Sequence, residues 1–178
     1  MHRLKFFLIV LFAGLSTAAF SQNNDLDERD PVAHIKSSFI FQFAYLSEWP
    51  AESREGSEFV IGVYGNDVIY ETLVKKYATQ PIGKQILKIK NISTIEEAQE
   101  SHLVFVDKSS ESDLKDIIKS LSNSPTMLVS DASTALELGA TIAFVAIDSN
   151  VRYKLNEKDA KKKSILFGNE LKSWEIKD

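Results

Sequence analysis

The chain of 178 residues contains no cysteine, and its acidic residues outnumber its basic residues by 25 to 21. The absence of cysteine excludes disulfide bonds, thiolate catalysis and cysteine-ligated metals. The lack of a basic excess argues against nucleic acid as a partner, because phosphate binding requires a positively charged face. Glycine is scarce, at seven residues, and Gly62, Gly65 and Gly83 lack the spacings of a nucleotide-binding loop.

The N-terminus combines positive charge, a short apolar run and small residues. Two basic residues precede the apolar residues 6–15, and the small residues Ala19 and Ser21 lie at the −3 and −1 positions of a cleavage site before Gln22. This pattern predicts a signal peptide over residues 1–21 and export to the periplasm. The apolar run is shorter than the ~20 residues of a membrane-spanning helix, and a lipoprotein would need a cysteine at the cleavage point.

The remainder of the chain has the length of one domain with a sizeable core. Residues 22–30 are polar and lack hydrophobic periodicity, so they predict a flexible leader. We expect a single domain over residues 31–178. After cleavage the chain carries 19 basic and 25 acidic residues, because the signal peptide contains two of the basic ones, and its net charge is −6.

An aromatic-rich helix is predicted to open this domain. Asp30 suits the N-cap and Pro31 the first turn, and the residue before Pro50 is disfavoured in a helix, so the helix should end near Glu48. Because it is apolar all round, we expect it to be buried more completely than an ordinary surface helix. Its main apolar stripe consists of Ile35, Phe39, Phe43 and Leu46.

Hydrophobic patterns in the rest of the chain alternate between strands and helices. Three short apolar runs predict strands buried on both faces, an alternating run with lysines predicts a strand toward the sheet edge, and residues 140–155 predict a hairpin. A last helix should follow the cap Asn156, with Trp174 in its seam, and pack close to the first helix. These patterns predict one three-layer α/β domain, with a mostly parallel sheet, helices on both faces and an antiparallel C-terminal hairpin.

Acidic residues follow the three buried strands at Asp67, Asp107 and Asp131. Ligands of open α/β sheets bind beyond the carboxyl ends of the strands, and carboxylates suit a divalent cation. The alternative is that each residue caps the helix after its strand. Both interpretations predict the same residue types at the same places, so the sequence leaves them open.

Aromatic residues near the C-terminus suggest a protein interface. Trp174 and Ile176 form an apolar patch at the chain end, and Tyr153 lies in the predicted hairpin. Exposed apolar patches mark interaction sites, and tryptophan is favoured at their centres. Core packing is the alternative for the same residues. The neighbouring Lys161–Lys163 run predicts a solvated helix face.

Four features, taken together and in order, resemble the YfiR family over about residues 33–174. In that family the first strand has the pattern F-x-I-G-V-x-G, a later strand reads C-H-I-L-F-I, and the ending reads G-x-I-x-F and then V-R-F-x-I-N. The matching features here are the helix ending at Trp49-Pro50, residues 59–65, residues 102–106 with 127–131, and residues 139–147 with 151–156. Ser101 replaces the family cysteine before His102, so the disulfides of some members cannot form.

The resemblance implies a non-enzymatic periplasmic regulator without a cofactor. Its expected partner is an inner-membrane sensor protein, either a diguanylate cyclase, which makes cyclic di-GMP, or a histidine kinase, and relatives suggest a possible homodimer. Two other hypotheses come from the residues themselves. One is a periplasmic small-ligand or cation-binding module that uses Asp67, Asp107 and Asp131. The other is an enzyme, which would require a nucleophile and a base at a recognisable spacing, and none is present.

Overall fold

A computed structural model of the chain describes residues 30–177, so the predicted signal peptide and most of the predicted leader lie outside the described residues. Helices and strands alternate along this part of the chain. In order they are α1 (Pro31–Tyr45), β1 (Ser47–Glu48), β2 (Glu58–Tyr64), α2 (Asp67–Tyr77), β3 (Pro81–Ile82), β4 (Gln85–Ile92), α3 (Ile95–Gln99), β5 (Leu103–Val106), α4 (Glu111–Ser120), β6 (Met127–Ser130), α5 (Ala135–Leu138), β7 (Ile142–Ile147), β8 (Asn150–Leu155), α6 (Glu157–Lys162), β9 (Leu166–Phe167) and α7 (Asn169–Trp174).

The main sheet has seven strands in the order β3-β4-β2-β5-β6-β7-β8. The five inner strands, β4, β2, β5, β6 and β7, run parallel to one another. Each edge is an antiparallel hairpin, β3–β4 on one side and β7–β8 on the other. This arrangement confirms the predicted mostly parallel sheet with an antiparallel C-terminal hairpin.

Helices cover both faces of the sheet and divide the core in two. One core lies between the sheet and α1, α2, α6 and α7, and its largest buried side chains include Phe43, Phe59 and Tyr153. The other lies beneath α3, α4 and α5, where Leu114 and Ile117 pack on Val104 and Leu128. The predicted three-layer α/β domain is therefore confirmed, and the first and last helices lie over the same face.

Helix α1 begins as its sequence predicts but is rotated from the expected orientation. The Asp30 carboxylate accepts a hydrogen bond from Ala33 N–H at 2.9 Å, and Pro31 occupies the first helical position. The side buried against the sheet and α2 consists of Ala33, Ser37, Ile40, Phe43 and Ala44. Ile35, a member of the predicted apolar stripe, is 43% exposed. The assignment of Ile35 to the buried stripe is therefore wrong, whereas α1 as a whole has a smaller share of exposed residues than α2 or α4, as the sequence predicts.

The end of α1 differs from the prediction because the chain turns into a strand. The helix ends at Tyr45 rather than near Glu48, and β1 pairs with β9 in a separate two-stranded sheet that joins Ser47 to Phe167. Trp49 is buried, and its indole N–H donates to the Ala44 carbonyl at 2.9 Å. The close of the helix is thus fixed by a contact with the distant C-terminal region.

The predicted last helix is divided into α6, β9 and α7. Ser164 has φ 58°, in the left-handed region that interrupts a helix. The prediction of a solvated Lys161–Lys163 face is wrong for Lys163, which is buried with its Nζ atom 3.0 Å from Asp159 Oδ2. Burial lowers the pKa of Lys163, and the Asp159 carboxylate opposes that shift.

Gly168 provides a test of the junction between the two ends of the domain. Its N–H donates to the Leu46 carbonyl at 2.9 Å, and a Cβ added at Gly168 would overlap that same oxygen. We expect Gly168→Ala to lower the free energy of unfolding by about 1–3 kcal/mol, the usual cost of overpacking, as measured by urea denaturation. Gly56→Ala is the matched control, since its nearest atom would lie 3.8 Å away. Equal effects of the two substitutions would contradict this account.

His102 makes the stability depend on pH. Burial lowers the pKa of its ring, while a backbone hydrogen bond at Ser53 acts in the opposite direction. Its Nδ1 accepts a hydrogen bond from Val60 N–H at 3.0 Å, which a protonated Nδ1 cannot do. The unfolded state therefore takes up the proton first, so the free energy of unfolding should decrease as pH falls below about 6.5, the ordinary histidine pKa.

Urea denaturation between pH 7.5 and 5.5 checks this prediction. The matched variant is His102→Asn, which removes the titrating ring and leaves the other histidines in place. We expect the variant to lose stability less steeply than the unaltered protein over this range. Parallel pH profiles for the two proteins would contradict the assignment to His102.

Candidate functional site

Two surfaces contain the residues that the sequence singled out. The first is the carboxylate rim, formed at the carboxyl ends of β2, β5 and β6 by Asn66, Asp107, Asp131 and Lys36. Asn66 caps α2 by accepting a hydrogen bond from Ile69 N–H at 2.9 Å, and its side-chain amide donates to Asp107 Oδ2 at 2.7 Å. The cap of one helix therefore also orients the acidic residue that follows the neighbouring strand.

Asp107 is buried, and both of its carboxylate oxygens accept hydrogen bonds from its own chain. Besides the bond from Asn66, its Oδ1 accepts a hydrogen bond from Ser109 N–H at 2.9 Å. Burial raises the pKa of the Asp107 carboxyl, but the hydrogen bonds from Asn66 and Ser109 and the charge of Lys36 outweigh burial, so the pKa lies below its ordinary value. Asp107 is consequently held as a carboxylate.

Asp131 connects the rim to α1. Its Oδ1 accepts a hydrogen bond from Lys108 N–H at 2.6 Å, and its Oδ2 forms an ion pair with the ammonium group of Lys36. The side chains of Lys36 and Asp131 are 14% and 6% exposed, so this ion pair is largely shielded from water. Lys36 thus places a positive charge directly beside the Asp131 carboxylate.

Asp67 does not share these contacts. It is exposed, and its Oδ1 accepts a hydrogen bond from the Asn91 side chain of β4 at 2.6 Å. Within residues 30–177, no group of three or more histidine and carboxylate side chains is arranged to hold a metal ion. Asp107 and Asp131 both accept hydrogen bonds from the backbone of the turn after β5, at Ser109 and Lys108. Asp67 lies apart from them, and each of the three acidic residues accepts a hydrogen bond from this chain.

The second surface lies between α1 and the C-terminal residues. Phe39 and Gln42 of α1, Arg152 of β8, and the segment Trp174–Ile176 line an open hollow of about 610 Å³. Trp174 is 46% exposed at its border. The structure therefore places two of the three sequence-predicted interface residues, Trp174 and Ile176, beside each other on one surface.

Tyr153, the third predicted interface residue, supports this surface from beneath. Its side chain is fully buried, with ring centroids 5.2 Å from Phe39 and 4.8 Å from Phe43 in edge-to-face packing. Its hydroxyl donates to the Leu171 carbonyl at 2.8 Å. Burial, together with the nearby Glu175 charge, raises the pKa of Tyr153 to about 12. The side chain can therefore act on a partner only through the residues that it positions.

The C-terminal segment is fixed to the outer edge of β8. Ile176 N–H donates to the Tyr153 carbonyl at 3.1 Å, and Glu175 Oε1 accepts a hydrogen bond from Leu155 N–H at 2.9 Å. These two bonds occupy backbone groups of an edge strand that otherwise face solvent. They hold Trp174 and Ile176 beside β8, across the hollow from α1.

A second, smaller hollow adjoins the first along α1. It measures about 230 Å³, and Phe39 and Gln42 line both hollows. We call the combined surface the α1 groove and define it by Ile35, Phe39, Gln42, Arg152, Trp174 and Ile176. Sequence reasoning assigned Ile35 to the main apolar stripe of α1 and did not single out Arg152. Ile35, Phe39 and Gln42 share one side of the helix, but their spacing alone does not show whether that side faces the core or solvent.

The described residues contain no helix that is both long enough and apolar enough to cross a membrane.

Comparison with known proteins identifies the protein family to which the chain belongs. The family model described as YfiR/HmsC-like matches residues 33–172, and the chain belongs to that family. Members of the family are generally periplasmic, non-catalytic regulators of diguanylate cyclases. No curated protein matches the chain with significant similarity.

A solved structure supports the fold. The crystal structure of a conserved domain protein from Vibrio cholerae O1 biovar El Tor is similar with a TM-score of 0.54 at 10% sequence identity. The alignment covers 82% of this chain and 59% of that one, so this chain spans less than two thirds of the other protein's length. At that level of identity the likeness concerns the fold alone.

The ion pair between Lys36 and Asp131 gives a direct test of the carboxylate rim. We expect Lys36→Met to lower the free energy of unfolding by about 3 kcal/mol, because it leaves a shielded carboxylate without its ammonium partner. Lys88→Met is the matched control, since Lys88 pairs with Glu58 at 3.2 Å while both side chains are nearly half exposed, and surface pairs contribute less than about 1 kcal/mol. Chemical denaturation at neutral pH measures both, and a loss no larger at Lys36 would refute the assignment.

Proposed function

We propose that this protein is a periplasmic regulator that binds the external sensor domain of an inner-membrane signalling protein and restrains its activity. The partner is a diguanylate cyclase or a histidine kinase. The observation that carries the proposal is the family match over residues 33–172, nearly the whole described domain. The exposed apolar surface beside Trp174 is the feature of this chain that suits such a role.

The α1 groove is the proposed contact surface. Large apolar side chains at Ile35 and Trp174 are 43% and 46% exposed, and they border adjoining hollows. Burying such side chains favours association by about 25 cal/mol for each Å² removed from water. Tryptophan at the centre of an interface often provides a large share of the binding energy.

Restraint requires the regulator to discriminate between two states of its partner. A regulator that binds the inactive state more tightly shifts the equilibrium only by the ratio of its two affinities. A tenfold ratio corresponds to about 1.4 kcal/mol. A signal that weakens the complex would then release the partner, and the output would follow from the domain on the cytoplasmic side of the membrane.

Trp174→Ala tests the contact surface. We expect at least a tenfold loss in capture of the membrane partner by the tagged protein, crosslinked in intact cells of its own host and measured by quantitative mass spectrometry. The far-UV circular dichroism spectrum and the melting temperature should not change, because the Trp174 side chain is half exposed. Ile86→Ala, which alters a 67% exposed residue of β4, is the matched control and should leave capture intact.

Two outcomes would count against the proposal in different ways. Undiminished capture by the Trp174→Ala variant would refute the placement of the contact surface. Efficient crosslinking that recovers no inner-membrane protein with an external sensor domain would refute the proposed function itself.

A further inference from the structure

The shape of the α1 groove indicates what kind of segment fits it. Ile35 and Phe39 are four residues apart on α1, as are Ser38 and Gln42, and these residues line the hollows. Residues at that spacing form ridges that pack into the grooves of a second helix. From Ile35 to Gln42 the helix advances by about 10 Å, at roughly 1.5 Å per residue, which matches two turns of a partner helix.

The neighbouring sheet edge disfavours an extended segment. A strand that binds by addition to a sheet requires free backbone N–H and C=O groups along the edge. At β8, the Tyr153 carbonyl and the Leu155 N–H are already bonded to Ile176 and Glu175. The groove beside this edge is bounded by side chains, so side-chain packing is the mode of recognition it offers.

The positive charge of Arg152 on the border of the groove indicates which polar residue a bound protein segment would carry. Arg152 is exposed beside Phe39 and Trp174, and within residues 30–177 its guanidinium group forms no ion pair. The Glu175 carboxylate lines the same hollow, but its Oε1 atom already accepts a hydrogen bond from Leu155 N–H. Arginine binds carboxylates through two parallel hydrogen bonds. The complementary segment therefore carries an acidic residue next to its apolar side.

We infer that the α1 groove binds one amphipathic helix of the partner protein. Apolar residues of that helix, spaced three and four apart, pack between α1 and the Trp174–Ile176 segment, and an acidic residue pairs with Arg152. This inference rests on the proposed function, because it specifies the partner segment at the same surface.

Site-specific photo-crosslinking tests the inference in the full-length chain. A benzophenone amino acid replaces Ile35, Trp174 or, as a control, Ile86, and irradiation of intact host cells is followed by mapping of the crosslinked residues by mass spectrometry. We expect positions 35 and 174 to crosslink one partner segment at residues three, four or seven apart, with an Asp or Glu among them. Position 86 should give no crosslink to that segment.

Each of the other outcomes would contradict either the helix assignment or the proposed function. Crosslinks at alternate residues would indicate a bound strand, and crosslinks to a second copy of this chain would indicate a homodimer surface; either result overturns the helix assignment. Partner crosslinks from position 86 alone would also overturn it, while leaving the proposed function standing. The absence of any membrane partner from all three positions, with efficient photoreaction, would overturn the proposed function as well.

A charge exchange tests the contribution of Arg152. We expect Arg152→Glu to reduce capture of the partner at least tenfold, and substitution of the mapped partner carboxylate by Arg to restore it. Arg54→Glu makes the same change in net charge at another exposed position and is the control. Equal losses from the two substitutions, or a failure of the exchange to restore capture, would overturn the pairing of Arg152 with an acidic residue.

Discussion

The packing of α1 on the sheet through Phe43 is the contact on which the other features depend. The Phe43 ring lies 5.7 Å from Phe144 and 4.8 Å from Tyr153, between centroids, and all three side chains are buried. This cluster joins the first helix to the C-terminal hairpin. It sets the position of α1, and therefore of every side chain that α1 presents to its surroundings.

Two sides of α1 serve the two surfaces of the protein. Lys36 projects toward the carboxyl ends of the strands and pairs with Asp131, which gives the rim an internal cation. Ile35 and Phe39, on the adjoining side, border the groove with Trp174. A rotation of α1 by one residue, about 100°, would move Lys36 away from Asp131 and Ile35 away from its present place in the groove, so packing and surface chemistry are specified together.

Much of the fold was predictable because its signals are local. Apolar runs identified β2, β5 and β6, and hydrophobic periodicity identified α4, since both patterns reflect burial by neighbouring layers. The orientation of α1 was not predictable, because a helix that is apolar all round has no distinct solvent side. The interruption at Ser164 and the burial of Lys163 depend on β9 pairing with β1 and on Asp159, which are tertiary contacts. At the candidate surfaces, Trp174 and Ile176 were predicted and Arg152 was not, since an exposed arginine has no sequence pattern of its own.

The pairing of β1 with β9 has a consequence for how the chain reaches its native state. Ser47 and Phe167 are about 120 residues apart in sequence, yet they are directly paired, and Phe43 requires Tyr153 for its burial. The first helix is synthesised long before the residues that cover it, so its aromatic side chains are exposed in every shorter nascent chain. Closure of such long-range contacts is slow, and exposed apolar surface at this stage favours aggregation. The first helix therefore cannot bury its aromatic side chains until residues near the other end of the domain are in place.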